Sequence, residues 1–156
     1  MPNHCNNEVT LHCRTEEIAL RIKAHLAGKE SLFDFTSLLP TPEELLESTD
    51  DPEVNARRIA QYGHDGWYDW RVANWGTKWN SYDCTLDDSN IRNGRLNYCF
   101  LTAWCPPEGI CRKLKEYITA HALDIDVSWF YYEPMNGIRG HLEQEVGHGE
   151  SRNQNA

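Results

Sequence analysis

A chain of 156 residues is long enough to bury its own core as one domain without covalent staples. Its 24 acidic against 15 basic residues give a formal charge of −9, which repels phosphate backbones and disfavours direct nucleic-acid binding, while suiting a basic protein partner or the imitation of nucleic acid. No apolar run approaches the ~20 residues needed to span a bilayer, and Met1-Pro2-Asn3-His4 shows no basic segment leading into an apolar one, so a cytoplasmic protein without a membrane partner is expected.

Residues Glu8 to Cys13 alternate and predict a first strand with Val9, Leu11 and Cys13 on one side. Thr15 fits a helix cap followed by Glu16 and Glu17, where the helix dipole favours acids. Ile18, Ile22 and Leu26 recur every four residues, and Gly28 supplies a stop. Leu32 to Leu39 is a short apolar segment that reads as a strand. Thr41-Pro42-Glu43-Glu44 fits a capping box opening a short helix through Leu46, and Asp51-Pro52 opens another running to Tyr62 before Gly63. The weak apolar pattern from Glu43 to Asp65 marks a helical insertion over the core, spanning about residues 40–75, rather than a second domain.

Thr77 to Asp88 reads as extended, and Asn93-Gly94 as a type I′ hairpin, because that turn needs positive φ at both central residues. Leu96, Tyr98, Phe100, Thr102 and Trp104 then share one face of a strand, which Pro106-Pro107 ends while opening a helix. In that helix Ile110, Leu114, Tyr117, Ile118 and His121 form one face. Leu123, Ile125, Val127, Trp129 and Tyr131 alternate as the next strand, placing Phe130 and Tyr132 on the opposite face with Asp124 and Asp126. That opposite face is expected to be covered by the insertion or by a partner. Asn136-Gly137 signals a second hairpin into a closing strand, Ile138 to Val146, which would allow a homodimer if it forms an exposed edge. The polar residues 147–156 are expected to be a disordered tail. The predicted order is a split β-α-β arrangement, βαββαβ, with the helical insertion and an extra C-terminal strand: an α+β, ferredoxin-like domain over residues 1–146. Right-handed crossovers place both main helices on one sheet face.

With no export signal, Cys5, Cys13, Cys84, Cys99, Cys105 and Cys111 read as reduced thiols, most of them small buried hydrophobes. No metal site and no cofactor are expected. The pairs His4-Cys5 and His12-Cys13 lie roughly 26 Å apart if the strand is extended, too far to share an ion. The six-residue spacing of Cys99, Cys105 and Cys111 departs from that of zinc knuckles. Glycine-rich phosphate loops, nucleophile elbows and helical His-Glu zinc motifs are absent from the sequence. Asp65, Asp69 and Glu133 form an acid/base set only if folding gathers them.

Four of the six tryptophans fall between Trp67 and Trp79, in Trp67-Tyr68-Asp69-Trp70-Arg71-Val72-Ala73-Asn74-Trp75-Gly76-Thr77-Lys78-Trp79. Trp67, Trp70 and Asn74 have helical spacing. Packing is the favoured reading of these indoles, with Arg71 or Lys78 over a ring face; a recognition surface is the alternative. Polar residues between tryptophans need a reason, so Asn74, Thr77 and Lys78 are the better functional candidates.

This segment, with Met1-Pro2-Asn3, Cys5, Asn7, Leu101-Thr102-Ala103-Trp104-Cys105-Pro106-Pro107 and Tyr132-Glu133, resembles the YubB-like family of plasmid and phage accessory proteins as far as about Leu142. His4 stands where that family usually has tryptophan. The resemblance implies a ferredoxin-like domain carried by a mobile genetic element, in a setting of host takeover or protection from host defence. The expected function is therefore a non-catalytic accessory protein that binds a host or defence-system protein and modulates or inhibits it, using Trp67, Trp70, Asn74, Trp75, Thr77, Lys78, Trp79 and Glu133. The alternative is a small-molecule or nucleic-acid module, with or without hydrolytic activity, sited around Asn74, Thr77, Lys78 and Glu133.

Overall fold

Strand β1 (His4–Cys13) is the middle of a five-stranded antiparallel sheet in the computed structural model, which describes residues 2–142. It pairs on one side with β3 (Arg95–Ala103) and on the other with β4 (Ile125–Glu133); β2 (Tyr82–Asp87) and β5 (Ile138–His141) form the edges, in the order β2-β3-β1-β4-β5. The chain is α+β, and this order is compatible with the expected ferredoxin-like class. Alternation along β1 puts Cys5, Asn7, Val9, Leu11 and Cys13 on the buried face, and the strand begins at His4, ahead of its predicted start at Glu8, because Cys5 and Asn7 are also enclosed.

Helices α1 (Glu16–Leu26) and α5 (Glu108–Ala120) cover that face. Thr15 caps α1 as its sequence predicts, accepting from the Ile18 N–H at 3.2 Å. The helix stops at Leu26, before Gly28, whose role is spatial: a Cβ there would lie 2.2 Å from Asp34 Oδ2. Ile110, Leu114 and Ile118 of α5 are buried, as their spacing requires.

The insertion consists of α2 (Phe35–Leu38), a 3₁₀ turn at Glu43–Leu46, α3 (Pro52–Tyr62) and α4 (Trp67–Asn74). The Leu32–Leu39 segment is a helical turn instead of a strand, because side chains satisfy its backbone donors. Asp34 accepts from the Thr36 N–H, and Asn80 Oδ1 accepts from the Phe35 N–H, each at 2.9 Å. Thr41 caps nothing in the 3₁₀ turn, which has no side-chain cap; its hydroxyl receives Arg71 Nε–H instead. α3 keeps its predicted bounds, with Asp51 as cap and Gly63 left-handed at φ +83°.

The insertion stacks on the helical side, so the expectation that it covers the opposite sheet face is corrected. Phe33, Phe35, Trp70 and Trp75 join Tyr98, Phe100 and Trp129 in one buried cluster. Phe33 meets the rings of Tyr98, Phe100 and Trp129 at 4.9–5.6 Å between centroids. The other face carries exposed Asn6, Glu8 and His12, and a rung of Tyr82, Leu101, Asn6, Tyr132 and Arg139 crosses all five strands.

Three further local expectations are corrected. The extended segment Thr77 to Asp88 becomes a strand only at Tyr82, and it is bulged at Asp83, which has φ +51°. The Asn93-Gly94 connection is not a type I′ turn: only Gly94 has positive φ, after a 3₁₀ turn at Ile91–Asn93 that tucks Ile91 against the core. Trp104 leaves the buried face of β3 altogether. β5 begins at Ile138 as predicted and is an edge; the expected stretch Glu143–Val146 and the tail 147–156 lie outside the described residues. Among the described residues, no helix is long and apolar enough to cross a membrane, and no group of three His, Cys, Asp or Glu side chains is placed to hold a metal ion.

Candidate docking groove

The tryptophan segment divides into an inner and an outer half. On the inner side of α4, Trp70 is buried, and Trp75, just past the helix end, is fully enclosed. Trp75 donates its Nε1–H to the Leu39 carbonyl at 2.7 Å and meets Phe35 edge-on at 5.5 Å. The Arg71 guanidinium lies between two indoles, 5.0 Å from the Trp67 ring and 4.5 Å from the Trp75 ring, and donates to Thr41 Oγ1 and the Lys78 carbonyl. Burial lowers the Arg71 pKa from its ordinary value. Trp70 and Trp75 are thus packed into the core and Trp67 lies half-buried against Arg71, in keeping with the favoured packing reading.

The polar candidates are mostly spent on the fold. Asn74 donates to the Trp70 carbonyl at 2.8 Å, closing the last turn of α4. Thr77 is buried and donates its hydroxyl to the Ala103 carbonyl at 2.7 Å, joining the loop after α4 to the end of β3. Glu133 is buried far along β4, accepting from the Met135 N–H at 2.6 Å, the Asn136 N–H at 3.2 Å and Asn136 Nδ2 at 2.5 Å; it shapes the β4–β5 turn. Asp65 and Asp69 are exposed beside and within α4, whereas Glu133 is buried at the end of β4.

The outer half forms a groove of about 250 Å³. Tyr68 and Val72, one helical turn apart on the exposed side of α4, make one wall and Trp104 the other; Gly76, Thr77, Ala103 and Cys105 line the floor. The floor is stitched by Thr77 to Ala103 and by the Cys105 thiol donating to the Gly76 carbonyl at 3.0 Å. Gly109 lets α5 approach this closely, since a Cβ there would lie 1.8 Å from the Asn74 carbonyl oxygen. Lys78 sits above, its Nζ 5.7 Å from the Tyr68 ring and 4.7 Å from the Trp79 ring. Trp79 continues the aromatic surface onto Tyr82, edge-on at 6.2 Å, and Tyr82 donates to or accepts from His4 Nδ1 at 2.6 Å.

Trp104 is the unusual residue. It adopts φ +73°, a left-handed conformation that is rare for a bulky side chain, and its indole is 50 % exposed. A buried hydrogen-bond chain holds it there. Trp129 Nε1–H donates to Asn7 Oδ1 at 3.0 Å, Asn7 Nδ2 donates to Thr102 Oγ1 at 3.0 Å, and Thr102 Oγ1–H donates to the Cys105 carbonyl at 2.7 Å. The Trp104 N–H itself donates to the Asn3 carbonyl at 2.8 Å. Cys105 must stay extended because Pro106 follows, so the chain turns at Trp104.

Sequence reasoning singled out Thr77, Lys78 and Trp79 of this surface and missed Tyr68, Val72, Trp104 and Cys105. The signal for the first pair was the i, i+4 apolar spacing on the side of α4 opposite Trp70. Burial pushes the Cys5 and Cys13 thiols up to about 11, and raises Cys84, Cys99 and Cys105 as well. No family model matches the chain, and neither a curated protein nor a solved structure is significantly similar to it.

Proposed function

We propose that the chain is a non-catalytic binding module that docks another protein on the groove between α4 and Trp104. The observation that carries this is Trp104 itself. A left-handed backbone costs an L-residue on the order of 1–2 kcal/mol, and here it holds a half-exposed indole at the rim of an apolar groove rather than in the core. Strain maintained for an outward aromatic is a mark of a binding surface, and tryptophan and tyrosine dominate interface hot spots. Tyr68, Val72, Trp79 and Trp104 together leave an apolar patch open to water.

Of the residues on which a ligand pocket would rely, Asn74, Thr77 and Glu133 bond within the fold and Lys78 lies over the Tyr68 and Trp79 rings, which favours protein docking over the small-molecule alternative. The strand order, with β1 between β3 and β4 and both crossover helices on one face, supports the ferredoxin-like plan. The resemblance to YubB-like proteins supports a mobile-element setting, in which the docked protein belongs to the host or to its defences. The test is retention of partners from host lysate by the wild-type chain and by Trp104→Gly and Val72→Glu. A specific partner held by the wild type and lost by both variants supports the proposal. A partner held equally by all three, or turnover of a nucleotide or peptide by the purified chain, refutes it.

A further inference from the structure

The groove has a size and a charge frame that define its occupant. At about 250 Å³ it is smaller than the roughly 300–1,000 Å³ of small-molecule and cofactor sites. Its floor offers no convergent polar groups, because the Thr77 hydroxyl and Cys105 thiol are already engaged with backbone carbonyls. One bulky apolar side chain fits it better than a cofactor does.

The rim is acidic. Asp69 follows Tyr68 and lies one turn from Val72 on the exposed side of α4. Asp65 lines a second depression, of about 240 Å³, that shares Tyr68 with the groove. Glu108 opens α5 beside Cys105, close enough for its charge to raise the thiol's pKa. All three carboxylates are exposed and, among the described residues, none has an ion-pair partner. The one cation in the lining, Lys78, already lies over the rings of Tyr68 and Trp79. Arg71, behind Lys78, is likewise held over the Trp67 and Trp75 rings, and Arg112 lies one turn along α5 from Glu108, so the exposed charge on the α4 side of the groove is carried by Asp65 and Asp69, on a chain whose formal charge is −9. Such a field steers and orients a positively charged partner.

Resting on the docking reading above, we infer that the groove takes a single bulky apolar side chain from a basic polypeptide segment, whose Lys or Arg residues lie against Asp65, Asp69 and Glu108. The test is selection of a displayed random twelve-residue peptide library on the wild-type chain. Peptides that also bind Trp104→Gly are discarded, and the folding of that variant is verified by its urea transition. Enriched peptides are expected to carry net positive charge and one large apolar residue, and to lose at least tenfold in affinity when that residue becomes Ala. The Asp65→Asn, Asp69→Asn, Glu108→Gln triple variant is expected to bind them several-fold more weakly and with a shallower salt dependence. Enrichment of neutral or acidic peptides that still depend on Trp104 overturns the basic-segment inference while leaving the groove as a docking site. Failure to enrich any Trp104-dependent peptide overturns both.

Discussion

Replacing Trp104 by alanine and, separately, by glycine divides the backbone's contribution from the indole's. Both variants lose the same half-exposed side chain. A fully enclosed tryptophan buries about 150–250 Å², so half of that, on the order of 100 Å², corresponds to about 2.5 kcal/mol at ~25 cal/mol per Å², an upper figure because unfolded chains are themselves partly compact. Alanine keeps the cost of φ +73°, whereas glycine removes it. The left-handed conformation costs alanine about 1–2 kcal/mol, and glycine returns about 0.4–1 kcal/mol of that through its greater freedom when unfolded. Trp104→Gly should therefore be more stable than Trp104→Ala by about 0.5–1 kcal/mol, the reverse of the usual order in strands and helices. Urea denaturation measures this as a higher midpoint for glycine at equal slope. A Trp104→Ala variant as stable as Trp104→Gly, or more so, would show that position 104 is not strained and would remove the main support for the groove.

Asn7→Ala removes the hydrogen bonds that Asn7 makes with the Trp129 indole N–H and the Thr102 hydroxyl, and should cost about 1–3 kcal/mol in urea denaturation. Gly109→Ala drives a methyl into the Asn74 carbonyl and should cost about 1–3 kcal/mol or more; an unchanged midpoint would mean that α4 and α5 part easily. Glu133→Ala should lower stability by about 1–3 kcal/mol yet leave partner retention intact, since Glu133 bonds only within its own turn. His25 is held below its ordinary pKa by burial and then by the charge of His121, against an opposing hydrogen bond that its ring donates to the Ser37 backbone carbonyl. Its neutral form is the one the fold favours, so the stability it contributes is present above the unfolded value near pH 6.5 and is lost as pH falls through the folded value. His25→Gln should flatten the stability–pH slope below about pH 6.5, as followed by denaturation midpoints at successive pH values.

Much of the scaffold is legible in the chain because its signals are local. The alternation of Val9, Leu11 and Cys13, the Thr15 cap, the Asp51-Pro52 start and the Ile110, Leu114, Ile118 stripe each state their structure within a few residues. The misread segments are those decided by distant partners. Phe35 is helical because Asn80, forty-five positions later, takes its N–H, and Thr41 is diverted from capping by Arg71. At the groove, Lys78 and Trp79 are visible as polar and aromatic residues in a dense run, but Trp104 continues the in-out pattern of Leu96 to Thr102 so well that alternation assigns it to the core. Only Pro106, by forcing Cys105 to stay extended, hints that the pattern ends one residue early.

Three side chains and one carbonyl link the centre of the sheet to its outer margin: Trp129, Asn7 and Thr102 hand hydrogen bonds along to Cys105, the neighbour of Trp104. An event at that margin is thereby registered by an indole sealed from solvent on the far side of β1. Displacing Cys105 is therefore expected to shift the shielded Nε1–H resonance of Trp129, as followed by NMR. The same linkage makes the preorganisation of the aromatic rim a property of the innermost strand, set as the sheet assembles and before anything is met at the surface.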